Sequence, residues 1–399
     1  MSEALPATGY RPPAAGKSEI RVEVVEGRDG FVQLEKAWND ALSKGPHDIP
    51  MLRHEWLKAY IENFAPGATL RTFVARAGRE IHAAMPLIEA IEKNADTCFL
   101  PMTTWALPVN DHSQRGGVLL GKRWQEGLES IWQTLRETAG WDRLRLRDLP
   151  EGAADWRLRE LAEQTGFPCG LWISLRSPYL RLPAQASGLG PQTSGQKHKP
   201  PTAYEQIEAR LDGKFRQNLR RRKRRLAELG EVSYEFAEDN DALADFFDIE
   251  ASGWKGRDGT AIAQRPELVG FYTQVARDAA KRKALALGLL KLAGKPIAAH
   301  LSIVHGGRHH LIKIGYDESL HEYSPGQQLV SEAIRDSCER GLREFDFLGP
   351  CMEWKLDWES ELRTHTWLTI FRPTPKGRLV HAARFPAWPV LKAMLRKES

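Results

Sequence analysis

The chain has 399 residues, 42% hydrophobic and 27% charged, an ordinary soluble composition with room for two domains and little scope for a wholly disordered chain. Its formal charge of +5 is mild and suggests an anionic ligand without locating it. Cys98, Cys169, Cys338 and Cys351 are scattered without a CxxC pair or a nearby histidine pair, so neither structural zinc nor a disulfide framework is expected.

Met1-Ser2-Glu3 does not open a basic-then-apolar leader, and no run nears the roughly 18 apolar residues of a membrane span. A reducing cytoplasm is the expected location. Thirteen tryptophans fit either two aromatic-rich cores or a sugar-stacking surface.

In chain order, residues 1–18 are rich in Ala, Pro and Gly and read as a disordered lead. A strand over 20–25 follows. Leu34, Ala37, Trp38, Ala41 and Leu42 then mark one helix, and Leu52, Trp56, Leu57, Tyr60, Ile61 and Phe64 a second. A hairpin turns at Gly78, a helix covers 128–138 and a strand covers 143–149, closed by Pro150. Residues 184–201, rich in Gly, Pro, Ser, Gln and Lys, read as a linker or a surface insertion. The stretch 214–225 then carries eight Lys or Arg in twelve residues and no acid.

The order repeats after that: a strand over 232–236, a helix marked by Leu243, Phe246, Phe247 and Ile249, and another by Leu268, Phe271, Tyr272, Val275 and Ala279. A three-strand meander covers 284–316 and turns at Gly294-Lys295 and Gly306-Gly307, the second pair suited to positive φ. Ser324 as N-cap and Pro325 at the first helical position open a helix carrying Leu329, Val330, Ala333, Ile334 and Cys338. A strand over 344–348 ends at Gly349-Pro350. The last residues, 376–399, mix Leu, Val, Phe and Trp with Lys and Arg, and either pack on the protein or lie on a membrane surface.

Gly253-Trp254-Lys255-Gly256, Gly315-Tyr316-Asp317, Tyr323-Ser324-Pro325-Gly326 and Phe345-Asp346-Phe347-Leu348-Gly349, with Lys355, Trp358 and the arginine-rich stretch before them, resemble the CelD-type branch of the GNAT acetyltransferase superfamily. That branch is similar in its tandem domains to the Fem peptidyltransferases. The match is most specific over 215–358. The resemblance implies an α/β fold of two tandem GNAT-like domains, each a mixed, mostly antiparallel sheet flanked by helices. Residues 19–183 would be a non-catalytic N-terminal domain, 202–372 the C-terminal acetyltransferase domain and 373–399 a basic amphipathic tail able to touch a membrane peripherally. It also implies an acyl-CoA donor, typically acetyl-CoA, with no metal, and an amine acceptor such as a small molecule or sugar nucleotide for polysaccharide assembly. Sequence-specific nucleic-acid binding is not expected. A Fem-like aminoacyl-tRNA donor and a non-catalytic scaffold of a polysaccharide system stay open. One departure stands out: the usual RxxGxG/A loop is reduced to Gly326 followed by Gln327 and Gln328.

Site residues follow from this placement. Ser324, Gly326, Gln327 and Gln328 would meet the donor's diphosphate at a helix N-terminus, with Ile314 and Gly315 along its arm. Asp346 is the first choice of base, against a role ordering the Gly349 loop or pairing with an arginine. Tyr323 is the candidate acid. Trp254, Lys255, Arg216, Arg220, Lys355 and Trp358 are candidate substrate contacts, Arg216 and Arg220 as a diphosphate clamp or a solvated charge run. Asp317 reads as a turn residue and His300 as a core histidine.

Overall fold

The computed structural model describes residues 19–184, 201–237, 239 and 242–385. The lead over 1–18, most of the linker, the residues from 386 onward and the side chains of Trp254 and Lys255 lie outside the described residues.

The first half runs β1 (Arg21–Glu26), α1 (Gly27–Val32), α2 (Glu35–Leu42), α3 (His54–Phe64), β2 (Leu70–Ala77), β3 (Glu80–Glu92), β4 (Met102–Ala106), β5 (Leu119–Leu120), α4 (Trp124–Glu137), β6 (Arg143–Pro150), α5 (Arg157–Gln164) and β7 (Cys169–Arg181). The second half begins with α6 (Ala203–Arg210) and α7 (Gly213–Ala227), started by the side-chain caps of Thr202 and Asp212. It continues with β8 (Val232–Ala237), α8 (Leu243–Ala251), α9 (Trp254–Arg257), α10 (Pro266–Lys281), β9 (Leu285–Leu292), β10 (Lys295–His305), β11 (Arg308–Tyr316), α11 (Pro325–Glu339), β12 (Glu344–Asp346), α12 (Glu353–Leu356), β13 (Glu361–Phe371) and α13 (Pro375–Arg384).

The strands form one mixed, mostly antiparallel sheet in the order β1-β2-β3-β4-β6-β13-β7-β12-β11-β10-β9-β8, with β5 added beside β3. Its centre is an exchange. β13, the last strand of the second half, pairs with β6 of the first, and β7, the last strand of the first half, pairs with β12 of the second. β7 and β13 also pair with each other over Cys169–Tyr179 and Glu361–Ile370. Each half therefore completes the other's sheet. A chain ending at Ser360 would leave β6 and β7 with bare edges, and bare edges invite aggregation; such a truncation is expected to elute in the void volume on size exclusion rather than as a folded monomer.

Helices cover both faces. One core of the second half joins Phe246, Phe271, Tyr272 and Leu287 to Met51, Trp56 and Ala59 of the first. Trp56 meets Phe271 edge-on at 5.5 Å, so α3 and α10 bridge the halves. The opposite face packs Val330, Ile334 and Phe345 against Tyr204, Ile207 and Trp358.

Candidate active site

Among the described residues two neighbouring strand pairs run parallel: β4 with β6, and β11 with β12. The second pairing is brief, matching Arg308, His309 and His310 to Glu344, Phe345 and Asp346. Beyond His310 and Asp346 the strands part. β11 continues to Tyr316 against β10 alone, while the other chain turns away through Leu348, whose φ is 52°. The strand expected over 344–348 is thus shorter, because Phe347 donates its N–H to Pro178 across the exchange. At the parting β11 holds an extra residue, since Leu301 faces Lys313 and Ser302 faces Leu311. A bulge of this kind re-aims the backbone beside a cleft.

α11 starts beside the far end of β11: a Cβ on Gly326 would lie 3.2 Å from the Tyr316 ring. Ser324 occupies the cap position as expected but does not cap with its side chain. It sits in the left-handed region (φ 48°), and its hydroxyl instead accepts from Arg222 at 2.7 Å. Among the described residues nothing accepts from the N–H of Gly326 or Gln327, and Ser324, Gly326 and Gln327 are all half-buried, so this first turn is reachable.

The remaining expected donor contacts are reassigned by the packing. The Gln327 amide donates to the Trp354 carbonyl at 3.0 Å, and its oxygen accepts from Trp358 Nε1 at 2.7 Å. Gln328 is buried, donating to the Tyr323 carbonyl and accepting from the Tyr234 hydroxyl. Gly315 faces α8, where a Cβ would come within 2.7 Å of Glu250 Cα, and Ile314 packs on the Leu311–Val330 core. Of these four only Gln328 is fully buried; Gln327, Ile314 and Gly315 stay half-buried along the turn and β11.

Asp346 is 2% exposed. Both its oxygens accept from Arg115 Nη2, at 3.1 and 3.0 Å, with Arg363 Nη1 at 3.5 Å, and Oδ1 also accepts from the Leu348 N–H at 2.9 Å. Burial is the largest single influence and opposes its ionisation, but Arg115, His310, Arg363 and the Leu348 N–H together hold the carboxyl at about 2. So acidic a group is a poor base. The alternative reading, an arginine-paired anchor for the Gly349 loop, matches these contacts.

Lys355 is also buried, and its Nζ donates to the carbonyls of Leu348 at 2.6 Å and Pro350 at 3.0 Å. Burial pushes its ammonium down to about 8. Trp358, expected to touch substrate, is instead fully buried against Phe215, edge-on at 5.4 Å. Arg216 donates to the Glu208 carbonyl, and Arg220, largely exposed, pairs with the Glu208 carboxylate at 3.0 Å. The member of that helix that reaches the α11 turn is Arg222. Tyr323 is half-buried beneath Arg225, whose guanidinium lies 5.2 Å from the ring centre. Asp317 caps the turn at Ser319, and His300 is fully buried, bonded to Ser302 and fitted over Gly288, as a turn residue and a core histidine should be.

Residues 213–356 match the family model described as an acetyltransferase (GNAT) domain. This stretch is similar to GNAT acetyltransferase domains. It spans α7 to α12 and so contains both the strand parting and the α11 turn. No curated protein matches the chain in sequence. Two solved structures share its fold. The crystal structure of FemX is 12% identical with a TM-score of 0.58, over 88% of this chain and 98% of that one. The C-terminal domain of a putative lysylphosphatidylglycerol synthetase from Agrobacterium fabrum is 10% identical with a TM-score of 0.51, over 86% of this chain and 92% of that one. Among the described residues no three His, Cys, Asp or Glu side chains are grouped to hold a metal, and no helix is long and apolar enough to cross a membrane.

Outside the matched stretch, sequence reasoning missed Arg115. It arrives from the first half, and the only signal was a buried-type loop of Ser113, Gln114, Arg115 and two glycines with no element assigned to it.

Proposed function

We propose that the chain is an acyltransferase of the N-acetyltransferase kind, moving an acyl group from acyl-CoA to an amine. The acceptor is a small amine or sugar nucleotide used in polysaccharide or cell-envelope assembly. The observation that carries the donor assignment is the α11 turn. A positive helix end with free N–H groups stands beside the guanidinium of Arg222, and two like charges favour each other only when an anion joins them. A carboxylate is already near: Asp357 lies 3.5 Å from the Gln327 side-chain amide, and burial with Glu353 and Asp212 raises its pKa while Arg222 opposes the rise. A diphosphate there would lead its thioester arm along Ile314–Tyr316 to the parting of β11 and β12.

At the parting the amine nitrogen attacks the thioester carbonyl carbon. The C–N bond forms, the C–S bond breaks, and the electron pair leaves on sulfur, which takes a proton from an acid. Tyr323 is the candidate for that acid. The base is reassigned from Asp346 to Lys355. A neutral lysine has two N–H bonds, which the Leu348 and Pro350 carbonyls accept, and a lone pair left for the amine's proton.

The test is titration calorimetry with acetyl-CoA on the wild-type chain and on Arg222→Glu. The wild type is expected to bind, and the variant, which puts a carboxylate at the turn, to lose at least about tenfold in affinity with an unchanged melting temperature. No heat from the wild type at millimolar ligand would sink the CoA assignment. The likeness to the FemX structure favours one second reading, an aminoacyl-tRNA donor. Retention of labelled tRNA that weakens steeply with salt would select it.

A further inference from the structure

The connection after β4 (107–123) holds, in the first half, the place that 317–324 holds before α11 in the second. Its helix start differs: α4 follows Arg123 at φ −111° with no proline, whereas α11 opens on Pro325 after Ser324 in the left-handed region. The loop itself crosses into the other half. Its root is fixed at home, where the Asp155 carboxylate accepts from the Val118 N–H and Gly116 lies so close to the Arg147 carbonyl that a Cβ would come within 2.0 Å of its oxygen. Its tip is fixed abroad. His112 Nδ1 meets the Tyr272 hydroxyl at 2.9 Å, and Arg115, only 5% exposed, bonds Ser177 on β7 at 3.0 Å and both oxygens of Asp346 on β12.

From Arg115 an unbroken run of hydrogen bonds reaches the parting of the strands. Arg115 Nη2 donates to Asp346, Asp346 accepts from the Leu348 N–H, and the Leu348 carbonyl accepts from Lys355 Nζ. The run passes through Leu348 in the left-handed region, a conformation that costs a non-glycine residue energy and that the surroundings must hold in place. Arg115 spends one terminal nitrogen on three acceptors while Nη1 makes no bond among the described residues, so the side chain is placed for Asp346 and Ser177 rather than for its own full satisfaction.

We propose that Arg115 is a positioning residue through which the first half sets the place and proton affinity of Lys355 in the second. The proposal deepens the acyl-transfer reading of this cleft, rests on it for the meaning of Lys355, and gives the first half a part in the site. The charged and titratable groups around Lys355 are Asp346 and Arg115 along the run, Cys351 on its own loop and Lys313 across the parting on β11.

The test reads Lys355 directly and uses no donor, so it stands apart from the CoA assignment. The full-length protein is acylated briefly with acetic anhydride across pH 6–11, and labelling of Lys355 is followed by peptide mass spectrometry with exposed Lys281 as internal reference. The wild-type midpoint is expected near 8. Arg115→Gln withdraws a cation and frees Asp346 to hold the ammonium, so the Lys355 midpoint should rise by about one unit, with about tenfold slower labelling below it, while Lys281 stays put. Arg115→Lys, whose shorter arm pulls the charge back from Asp346 and Ser177, should give a smaller rise. A Lys355 midpoint unchanged in Arg115→Gln overturns the proposal. If the glutamine variant does not fold, a midpoint in Arg115→Lys equal to wild type overturns it in the same way.

Discussion

Acidification from pH 7 to pH 4 is expected to unfold the protein. The sheet buries His300 and His365 completely and His310 to 3% exposure. Burial lowers all three to about 3, from an ordinary 6.5. For His300 burial is the whole cause; Arg115 adds to it at His310 and His365, and Asp346 opposes it at both. Arg308 and His305 also face His310, and Arg363 faces His365. The geometry agrees in the main: neither ring nitrogen of His310 or His365 makes a full hydrogen bond among the described residues, and His300 has only Ser302. His310 Nδ1 does stand 4.0 Å from Asp346, and the Arg363 backbone opposes the fall at His365. The sign follows from which state binds more protons. Unfolded histidine protonates below about 6.5, the folded rings do not until about 3, so stability is full above the unfolded value and falls through the window between them. Each unit of that gap is worth about 1.4 kcal/mol. Three such rings therefore remove, by pH 4, an amount comparable to a typical domain's stability of about 5–15 kcal/mol. Urea midpoints measured at half-unit steps should fall steeply from pH 6.5 downward. A flat profile to pH 4.5 would mean that these rings are hydrated or paired in solution.

What sequence reading could see, and what it could not, divides along chain separation. The repeated order of strand, two helices, meander, helix and strand was legible because each element carries its own period and its own turn chemistry. Gly306 and Gly307 do take positive φ in a two-residue hairpin, at 55° and 72°. α11 starts where Pro325 says it should. The exchange of β7 and β13 was not legible. Pairing of Tyr179 with Glu361 joins positions far apart in the chain, and nothing local distinguishes a strand that completes its own sheet from one that completes its neighbour's. The same separation hid the meaning of Asp346. Alternation correctly sent its side chain away from Phe345 and Phe347, but what waits there is a guanidinium 231 residues earlier in the chain. Trp358 and Gln327 illustrate a second blindness. Both sit where a ligand contact was expected, and each satisfies the other instead, because a buried indole N–H needs an acceptor and the loop before β13 brings it to one.

Asp346→Asn separates the two readings of this residue more sharply than any comparison of folds. As an anchor, its substitution leaves Arg115 a buried cation with only Ser177 and an uncharged amide oxygen to receive it, and Arg363 keeps Glu344 at 3.1 Å. Removing one partner of a buried ion pair costs about 3–5 kcal/mol, chiefly because the other charge stays uncompensated. The depressed carboxyl points the same way. Its folded value of about 2 lies below the ordinary 3.8, so it contributes stability above pH 3.8 that is lost as pH falls through 2, an amount of about 2 kcal/mol. A fall of several kcal/mol in unfolding free energy is therefore expected for Asp346→Asn, measured by urea denaturation at pH 7. Replacing the pair together, Arg115→Met with Asp346→Leu, should recover most of it, since no buried charge is then orphaned. Were Asp346 also the base, the asparagine variant would in addition lose turnover under conditions where it stays folded, because a base is needed only when a proton moves. An unchanged midpoint with transfer abolished would return the proton to Asp346 and leave Lys355 as a neighbour that merely closes the Gly349 turn.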